Sequence, residues 1–295
     1  MTAGHGFAEI MDLNKVTTFR PKKRLAQHFL KNPGLIQKII DRSGFDALDV
    51  ILEVGPGLGA LTLPLAGRVR KIIAVEKDAR LAEMLGEKLI GAGVDNVTLI
   101  NDDILAFDFQ TLAPPAKKKI QVIGNLPYNI SSPLLEKLMT HRALFGRAVL
   151  MFQAELGRRL LAVPGHRAYG AITVALKYFA EVSPVLKAPK EAFYPRPKVD
   201  SLVLRLDFEN PHPRRADDEG HFRRTVKGAF AHKRKTLLNS LRASLTEYGK
   251  VDILKALEIC RIDPKKRAEA LDIDDFLSLS TALAQNPPPD LNIIP

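Results

Sequence analysis

A tetrapeptide of one amide, one apolar residue, one proline and one aromatic residue, Asn125-Leu126-Pro127-Tyr128, follows an apolar run that predicts a strand. An exocyclic aromatic amine is a poor nucleophile because its lone pair is delocalised into the ring. The Asn125 side-chain oxygen and a backbone carbonyl near Leu126 can accept hydrogen bonds from the two N–H groups of such an amine. Pro127 fixes the turn that holds these acceptors. Tyr128 offers a face on which an extruded base can stack. In isolation these residues are more typical of an ordinary turn, so the elements around them decide the interpretation.

A glycine-rich loop stands after an earlier apolar run, where Glu53 is followed by Gly55, Gly57 and Gly59. Glycines allow a tight turn and let a ligand lie against bare backbone, and a helix beyond them offers free N–H groups. The next apolar run ends in Glu76, 21 residues after Gly55, where a carboxylate can accept hydrogen bonds from ribose hydroxyls. Loop, strand and acid together predict a nucleoside-containing cofactor.

The details of the loop favour one cofactor over another. The glycines read G-P-G-x-G rather than the dinucleotide fingerprint G-x-G-x-x-G, and no Arg or Lys lies near for a pyrophosphate. Glu53 would repel phosphates but suits the ammonium of an amino acid. S-adenosylmethionine (SAM) combines ribose, adenine and an amino-acid head without phosphate. We therefore predict SAM rather than NAD, with a glycine turn that binds no ligand as the remaining alternative.

A third apolar run, Val97–Ile100, leads into Asn101-Asp102-Asp103. The carboxyl ends of strands form the ligand crevice of open α/β sheets. An aspartate there can accept a hydrogen bond from the adenine amino group. Asp103 is the preferred residue for this contact, and Asp102 remains the alternative.

The elements that must position these residues alternate in type. Short apolar runs lie at Val50–Val54, Ile72–Glu76, Val97–Ile100, Ile120–Ile123 and Ala148–Phe152, and helix-length stretches at Leu61–Arg68, Ala79–Ala92 and Pro133–Thr140. This alternation predicts a parallel sheet covered by helices on both faces, with Ser201–Leu206 as one further strand. We predict an α/β fold: a Rossmann-like SAM-dependent methyltransferase sheet followed by a small all-helical C-terminal domain.

The strand pattern stops at Glu209–Arg215, a segment with two prolines that reads as a linker. The predicted organisation is a flexible arm over 1–18, a methyltransferase domain over 19–208, a helical RNA-binding domain over 209–285 and a disordered tail over 286–295, which holds four prolines.

Charge indicates the partner. The chain has 44 Lys and Arg against 33 Asp and Glu, a net charge of +11, which favours a polyanion such as nucleic acid. Two stretches, Phe19–Lys38 and His221–Arg242, are basic and contain no acid. In the second, apolar residues at spacings of four and seven predict an amphipathic helix with its cations exposed. The predicted RNA contacts are Arg20, Lys22, Lys23, Arg24, Arg223, Lys227, Lys233 and Arg234.

Composition excludes several classes. The 295 residues are 46% hydrophobic, which suits a globular protein, and no apolar run approaches the ~20 residues of a membrane helix. The single cysteine, Cys260, excludes a disulfide framework and a cysteine-built zinc site, and the histidines lack ligand spacing. The first residues lack the pattern of a signal peptide. We expect a cytoplasmic monomer that uses no metal.

Together the motifs resemble the ribosomal small-subunit RNA adenine dimethyltransferase family, relatives of the antibiotic-resistance methylases that act on large-subunit RNA. The matching segments are Gln27–Leu30, Glu53–Gly59, Glu76, Asp103, Asn125–Tyr128, Gln153 with Glu155, Ala168–Gly170, Phe193–Ser201, Arg234–Leu241 and Arg267–Glu269. They span about 240 residues in order. Two positions differ: His28 stands where the family often has Asn, and Ala26 where it often has Gly.

The resemblance implies N6,N6-dimethylation of two adjacent adenosines in a hairpin loop near the 3′ end of 16S rRNA, on the immature 30S subunit. It implies cofactor contacts at His28, Leu30, Gly55, Glu76, Asp103 and Asn125. It also implies that Phe193 forms a second aromatic wall for the target base.

Two alternatives to the small-subunit function are a 23S rRNA adenine methyltransferase and a non-catalytic RNA-binding factor on the same fold. The match at Arg234–Leu241 favours the small-subunit branch. The intact tetrapeptide disfavours a factor that only binds RNA.

Overall fold

The computed structural model describes residues 21, 27–112 and 118–285. The predicted arm and tail lie outside these residues, as do Arg20, Lys22, Lys23 and Arg24. The described residues form two compact units, the first from 1–157 and 181–209 and the second from 158–180 and 210–295. The sequence prediction placed 158–180 in the methyltransferase domain, whereas this division groups that segment with the C-terminal helices.

A seven-stranded sheet forms the centre of the first unit. Its strands are β2 (Val50–Val54), β3 (Lys71–Glu76), β4 (Val97–Asn101), β5 (Ile120–Asn125), β6 (Phe145–Gln153), β7 (Glu181–Ala188) and β9 (Ser201–Asp207). They lie side by side in the order β4-β3-β2-β5-β6-β9-β7. Strands β2 to β6 are parallel, and β9 is antiparallel to β6 and β7. A separate antiparallel ribbon pairs β1 (Phe29–Leu30) with β8 (Phe193–Tyr194).

Five α-helices begin among the described residues of this unit: α1 (Pro33–Ser43), α2 (Thr62–Ala66), α3 (Ala79–Gly91), α4 (Ser131–Thr140) and α5 (Ala154–Leu161). The side chain of Asn32 caps α1 by accepting from Leu35 N, and the helix ends at Gly44, whose φ of 71° is left-handed. Asp78 caps α3 in the same way. Helix α1 buries its apolar face, including Ile36 and Ile39, in the core. Strand β2 is buried along its whole length, so the glycine loop that follows it begins at a rigid strand end.

The α/β class, the parallel strands β2 to β6, the further strand at β9 and the helical C-terminal region are confirmed; β9 and β7 add an antiparallel edge to the sheet. Strand β7 was missed. It contains Pro184, which lacks an amide hydrogen and therefore argues against a central strand. The structure places β7 at the sheet edge, with a register shift between Pro184 and Leu186.

The second unit is helical among its described residues, with α6 (Ala171–Phe179), α7 (Glu219–Phe230), α8 (Leu237–Ser244), α9 (Lys250–Ile259) and α10 (Ile273–Gln285). The single amphipathic helix predicted over 221–242 is two helices. Helix α7 ends at Phe230, and Thr236 caps α8 by accepting from Asn239 N. The apolar stripe still faces inward, since Phe222 and Leu241 are buried.

No helix in the described parts of the chain is both long and apolar enough to cross a membrane.

Candidate active site

A cleft opens at the carboxyl ends of β2, β3, β4 and β5, where the loops that follow these strands meet. Residues of all four loops line it, together with His28, Phe29 and Leu30 from the N-terminal side. The predicted site residues that line it are His28, Leu30, Gly55, Glu76, Asp103, Asn125, Leu126, Pro127 and Tyr128. The structure therefore brings together residues that are up to 100 positions apart in the sequence.

The glycine loop has three left-handed residues, with φ of 66° at Gly55, 57° at Gly57 and 84° at Gly59. Only glycine adopts this backbone at little cost. A Cβ on Gly59 would lie 2.7 Å from Leu85 Cδ1, and one on Gly57 would lie 3.3 Å from the Phe29 ring. A Cβ on Gly55 would meet nothing within 4 Å. Gly57 and Gly59 thus permit close packing, and Gly55 leaves bare backbone against which a ligand can lie.

Glu76 is fixed at the end of β3. Its Oε2 accepts from Gly57 N at 3.0 Å and its Oε1 from Asp78 N at 2.9 Å. The side chain is buried, and burial raises the pKa of its carboxyl. A carboxylate has about four acceptor positions, so Glu76 can also accept from a ribose hydroxyl.

Glu53 lies inside the cleft at only 1% exposure, and its Oε2 has no hydrogen-bond partner. Burial, with a smaller contribution from the charge of Glu76, raises the pKa of Glu53 to about 8. A buried polar atom without a partner is costly. A cationic donor from a ligand would remove that cost, so the site fits the ammonium of SAM.

The raised pKa of Glu53 gives a prediction for stability. An unfolded chain loses this proton near pH 4.5, whereas the folded protein keeps it until about pH 8. Between these values the folded state binds more protons, so its stability falls as pH rises. We expect the wild type to lose up to roughly 1 kcal/mol per pH unit relative to Glu53→Gln, measured by urea unfolding between about pH 5 and 8. Parallel pH profiles for the two proteins would contradict the assignment.

Two aspartates follow β4 at the far side of the cleft. Asp103 Oδ2 lies 2.6 Å from Lys77 Nζ, and this hydrogen bond lowers the pKa of Asp103. Its Oδ1 accepts from Leu105 N at 3.0 Å. Asp102 is exposed and accepts from Asp103 N. Both line the cleft, so the choice of Asp103 for the adenine contact stays a prediction.

Lys137 supports this side of the cleft and was missed by sequence reasoning. From α4 its Nζ donates to the carbonyls of Ile104, Leu105 and Phe107, which fixes the loop after Asp103. Burial lowers the pKa of Lys137. A single lysine within a helix carries no motif, so no sequence signal could have found it.

Asn125 ends β5, and its Nδ2 donates to the backbone oxygen of His28 at 2.8 Å. A carbonyl can only accept, so the amide nitrogen must face His28 and Oδ1 must point the other way. This hydrogen bond leaves Oδ1 as the acceptor that the predicted chemistry requires.

The rest of the tetrapeptide forms a turn with one aromatic face. Leu126 is buried, and Pro127 has φ −55°. The Tyr128 hydroxyl lies 3.1 Å from Ser201 Oγ, and its ring centroid is 5.4 Å from that of His28, with 31° between the planes. Burial raises the pKa of Tyr128, which keeps the phenol neutral. Ser201 belongs to the predicted family match, but its contact with Tyr128 was not foreseen.

Among the predicted catalytic and cofactor-binding residues, Phe193 alone does not line the cleft. Its side chain is 2% exposed and packs in the main core with residues such as Leu30. The antiparallel pairing of Leu30 with Phe193 turns the ring inward. The role of Phe193 as a wall for the target base stays a prediction. In this structure His28 and Tyr128 form the aromatic pair beside the cleft.

No group of three or more His, Cys, Asp or Glu side chains suited to a metal ion occurs within residues 27–112 and 118–285.

Comparisons with known proteins agree with this geometry. A family model described as ribosomal RNA adenine dimethylase matches residues 18–285. The ribosomal RNA small subunit methyltransferase A of Desulforapulum autotrophicum is 44% identical over 262 residues, which is 89% of this chain and 92% of that relative. A dimethyladenosine transferase from Plasmodium falciparum has a similar structure, with a TM-score of 0.72, 31% identity, and coverage of 87% of this chain and 98% of that one. The 23S rRNA methyltransferase ErmE is also similar, with a TM-score of 0.65, 26% identity, and coverage of 87% and 100%.

Proposed function

Because the chain belongs to the ribosomal RNA adenine dimethylase family, we propose that it transfers methyl groups from SAM to N6 of two adjacent adenosines in the 3′-terminal hairpin loop of 16S rRNA. The products are N6,N6-dimethyladenosines, formed during small-subunit biogenesis. The observation that carries this function is the orientation of the Asn125 amide: its Nδ2 donates to the His28 carbonyl, which leaves Oδ1 as a free acceptor in the cleft at the carboxyl ends of the strands.

Small-subunit RNA is favoured over 23S RNA as the substrate. The relative named for the small subunit is 44% identical to this chain, whereas the 23S enzyme is 26% identical. The intact tetrapeptide also favours a methyltransferase over a factor that only binds RNA.

Three acidic residues of the cleft each bind a different part of the cofactor. Glu53 faces the ammonium of the cofactor, Glu76 accepts from its ribose, and Asp103 accepts from its adenine amine. When bound, SAM supplies a sulfonium methyl that needs no acid to leave.

The target amine is handled by the tetrapeptide. The Asn125 Oδ1 and the Leu126 carbonyl accept hydrogen bonds from the two N–H groups of the amine. These bonds localise the nitrogen lone pair toward the methyl. Tyr128 stacks on the base. As the amine nitrogen bonds to the methyl, the methyl–sulfur bond would break with its electron pair left on sulfur, and the methylated amine would then release one proton to water. Catalysis therefore comes from positioning and fixed dipoles rather than from a general base.

We further propose that the partner is the immature 30S subunit and that the enzyme acts on it in the cytoplasm as a monomer without a metal. The test is incubation with methyl-tritiated SAM and either immature small subunits or large subunits. We expect label in 16S RNA. Label confined to 23S RNA would reject the proposal in favour of the large-subunit alternative.

The second unit supplies the described part of the proposed RNA contact. Arg223 and Lys227 lie on α7, and Lys233 and Arg234 lie in the exposed connection to α8. Each phosphate contact steepens the loss of affinity with salt.

A charge-matched pair of variants tests this contact. Lys233→Ala with Arg234→Ala should lower RNA affinity and reduce the slope of log K against log salt by roughly 1 to 2, measured by filter binding. The control is Arg70→Ala with Lys71→Ala, at the end of β3 opposite the cleft, which should leave the slope unchanged. Equal slopes in wild type and the first variant would remove these residues from the RNA interface.

A further inference from the structure

The segment 193–201 approaches the site through atoms other than the Phe193 ring. That ring is in the core, but two other groups of the segment reach the aromatic pair beside the cleft. Ser201 Oγ lies 3.1 Å from the Tyr128 hydroxyl, and the Pro195 carbonyl oxygen lies 2.6 Å from His28 Nδ1.

Ser201 is a rigid point of attachment. It is the first residue of β9, where it pairs with Gln153 of β6 and Ala188 of β7, and it is 0% exposed. Tyr128, in contrast, stands on the turn that follows β5. The hydrogen bond therefore ties a loop-borne ring to a strand held on both sides.

His28 is fixed from two directions. A carbonyl can only accept, so Nδ1 must donate to Pro195, which fixes the direction in which the imidazole points. The backbone oxygen of His28 accepts from Asn125 Nδ2. One residue thus links the segment 193–201 to the amide that accepts from the target amine.

The segment 193–201 is also held by hydrogen bonds outside the cleft. Asp200 Oδ1 accepts from Lys190 N at 3.0 Å, and its Oδ2 lies 3.0 Å from Lys187 Nζ. The backbone oxygen of Asp200 accepts from Ala154 N at 2.9 Å. Ser201 consequently stays in place when Tyr128 is altered.

We propose that Ser201 and Pro195 are positioning residues: they orient the Tyr128 and His28 rings as the stacking platform for the extruded adenine. The proposal deepens and rests on the proposed function. It assigns to the segment 193–201 a role in the site that does not require the Phe193 ring to leave the core.

The test is a double-mutant cycle with Ser201→Ala, Tyr128→Phe and the double variant. Each variant keeps the aromatic ring at position 128. Each single variant removes one of the two hydroxyls that form the hydrogen bond between Tyr128 and Ser201. We expect kcat on small subunits to fall about 5- to 10-fold in each single variant, with RNA affinity unchanged. The double variant should be no slower than either single one, because both remove the same bond. Multiplied losses in the double variant would overturn the proposal.

The control is Ser43→Ala, which removes another buried serine whose hydroxyl donates to Ile40 O at 2.7 Å, away from the cleft. It should leave kcat unchanged. Crystal structures of the Ser201→Ala and wild-type proteins give a readout independent of activity: an unmoved Tyr128 ring would overturn the proposal, and a rotated one supports it. An inactive wild type would reject the proposed function, while this structural comparison still decides whether Ser201 orients Tyr128.

Discussion

Replacing Asn125 by alanine is expected to lower kcat for methyl transfer by about 100-fold or more, with RNA affinity nearly unchanged. In the proposed function Oδ1 is a preorganised acceptor for the reacting amine, and loss of one such group commonly costs a factor of 10² to 10³. The measurement is single-turnover methylation of small subunits beside filter binding of the same RNA.

Asn125→Asp separates the two roles of this side chain. A carboxylate keeps an acceptor but cannot donate to the His28 carbonyl, so its orientation is no longer fixed. We expect activity between those of wild type and Asn125→Ala. An equal loss of RNA binding and of kcat in the alanine variant would instead assign Asn125 a structural role.

Replacing Glu76 by alanine is expected to raise the Kd for SAM about 100-fold or more. In the proposed site the carboxylate accepts from the ribose hydroxyls, and hydrogen bonds to a charged group contribute about 1.5–3 kcal/mol each. The change also leaves Gly57 N and Asp78 N without the partner seen in the structure. Calorimetry with SAM gives the Kd directly.

Glu83→Ala is the matched control, since Glu83 is exposed on α3 and should bind SAM like wild type. The same titration with NAD tests the rejected cofactor, for which we expect no measurable heat. Unchanged SAM affinity in Glu76→Ala would show that the ribose contact is elsewhere.

The positions of five sheet strands along the chain and the position of the cleft could be predicted from sequence because both follow from local patterns. Apolar runs mark the strands, and the rule that ligands bind at strand carboxyl ends places Gly55, Glu76 and Asn125 together. The structure has all three lining one cleft. The motif residues could be found because each is a glycine, an acid or an amide at the end of an apolar run.

The remaining features depend on contacts between distant segments. Strand β7 was hidden by Pro184, and the inward turn of Phe193 follows from its pairing with Leu30. The links from Ser201 to Tyr128 and from Lys137 to the loop after β4 join elements 73 and 30 to 33 residues apart. No local pattern encodes such pairs, because many surface serines and lysines look the same in sequence.

The most direct test of the central claim is primer extension across the 3′-terminal hairpin of 16S RNA, after immature small subunits are incubated with SAM and either the wild-type chain or Asn125→Ala. Dimethylated adenosine cannot pair through its N6 and blocks the polymerase. The account predicts strong stops at two adjacent adenosines with wild type and almost none with the variant. Read-through with the wild-type chain, or equal stops with both proteins, would contradict it.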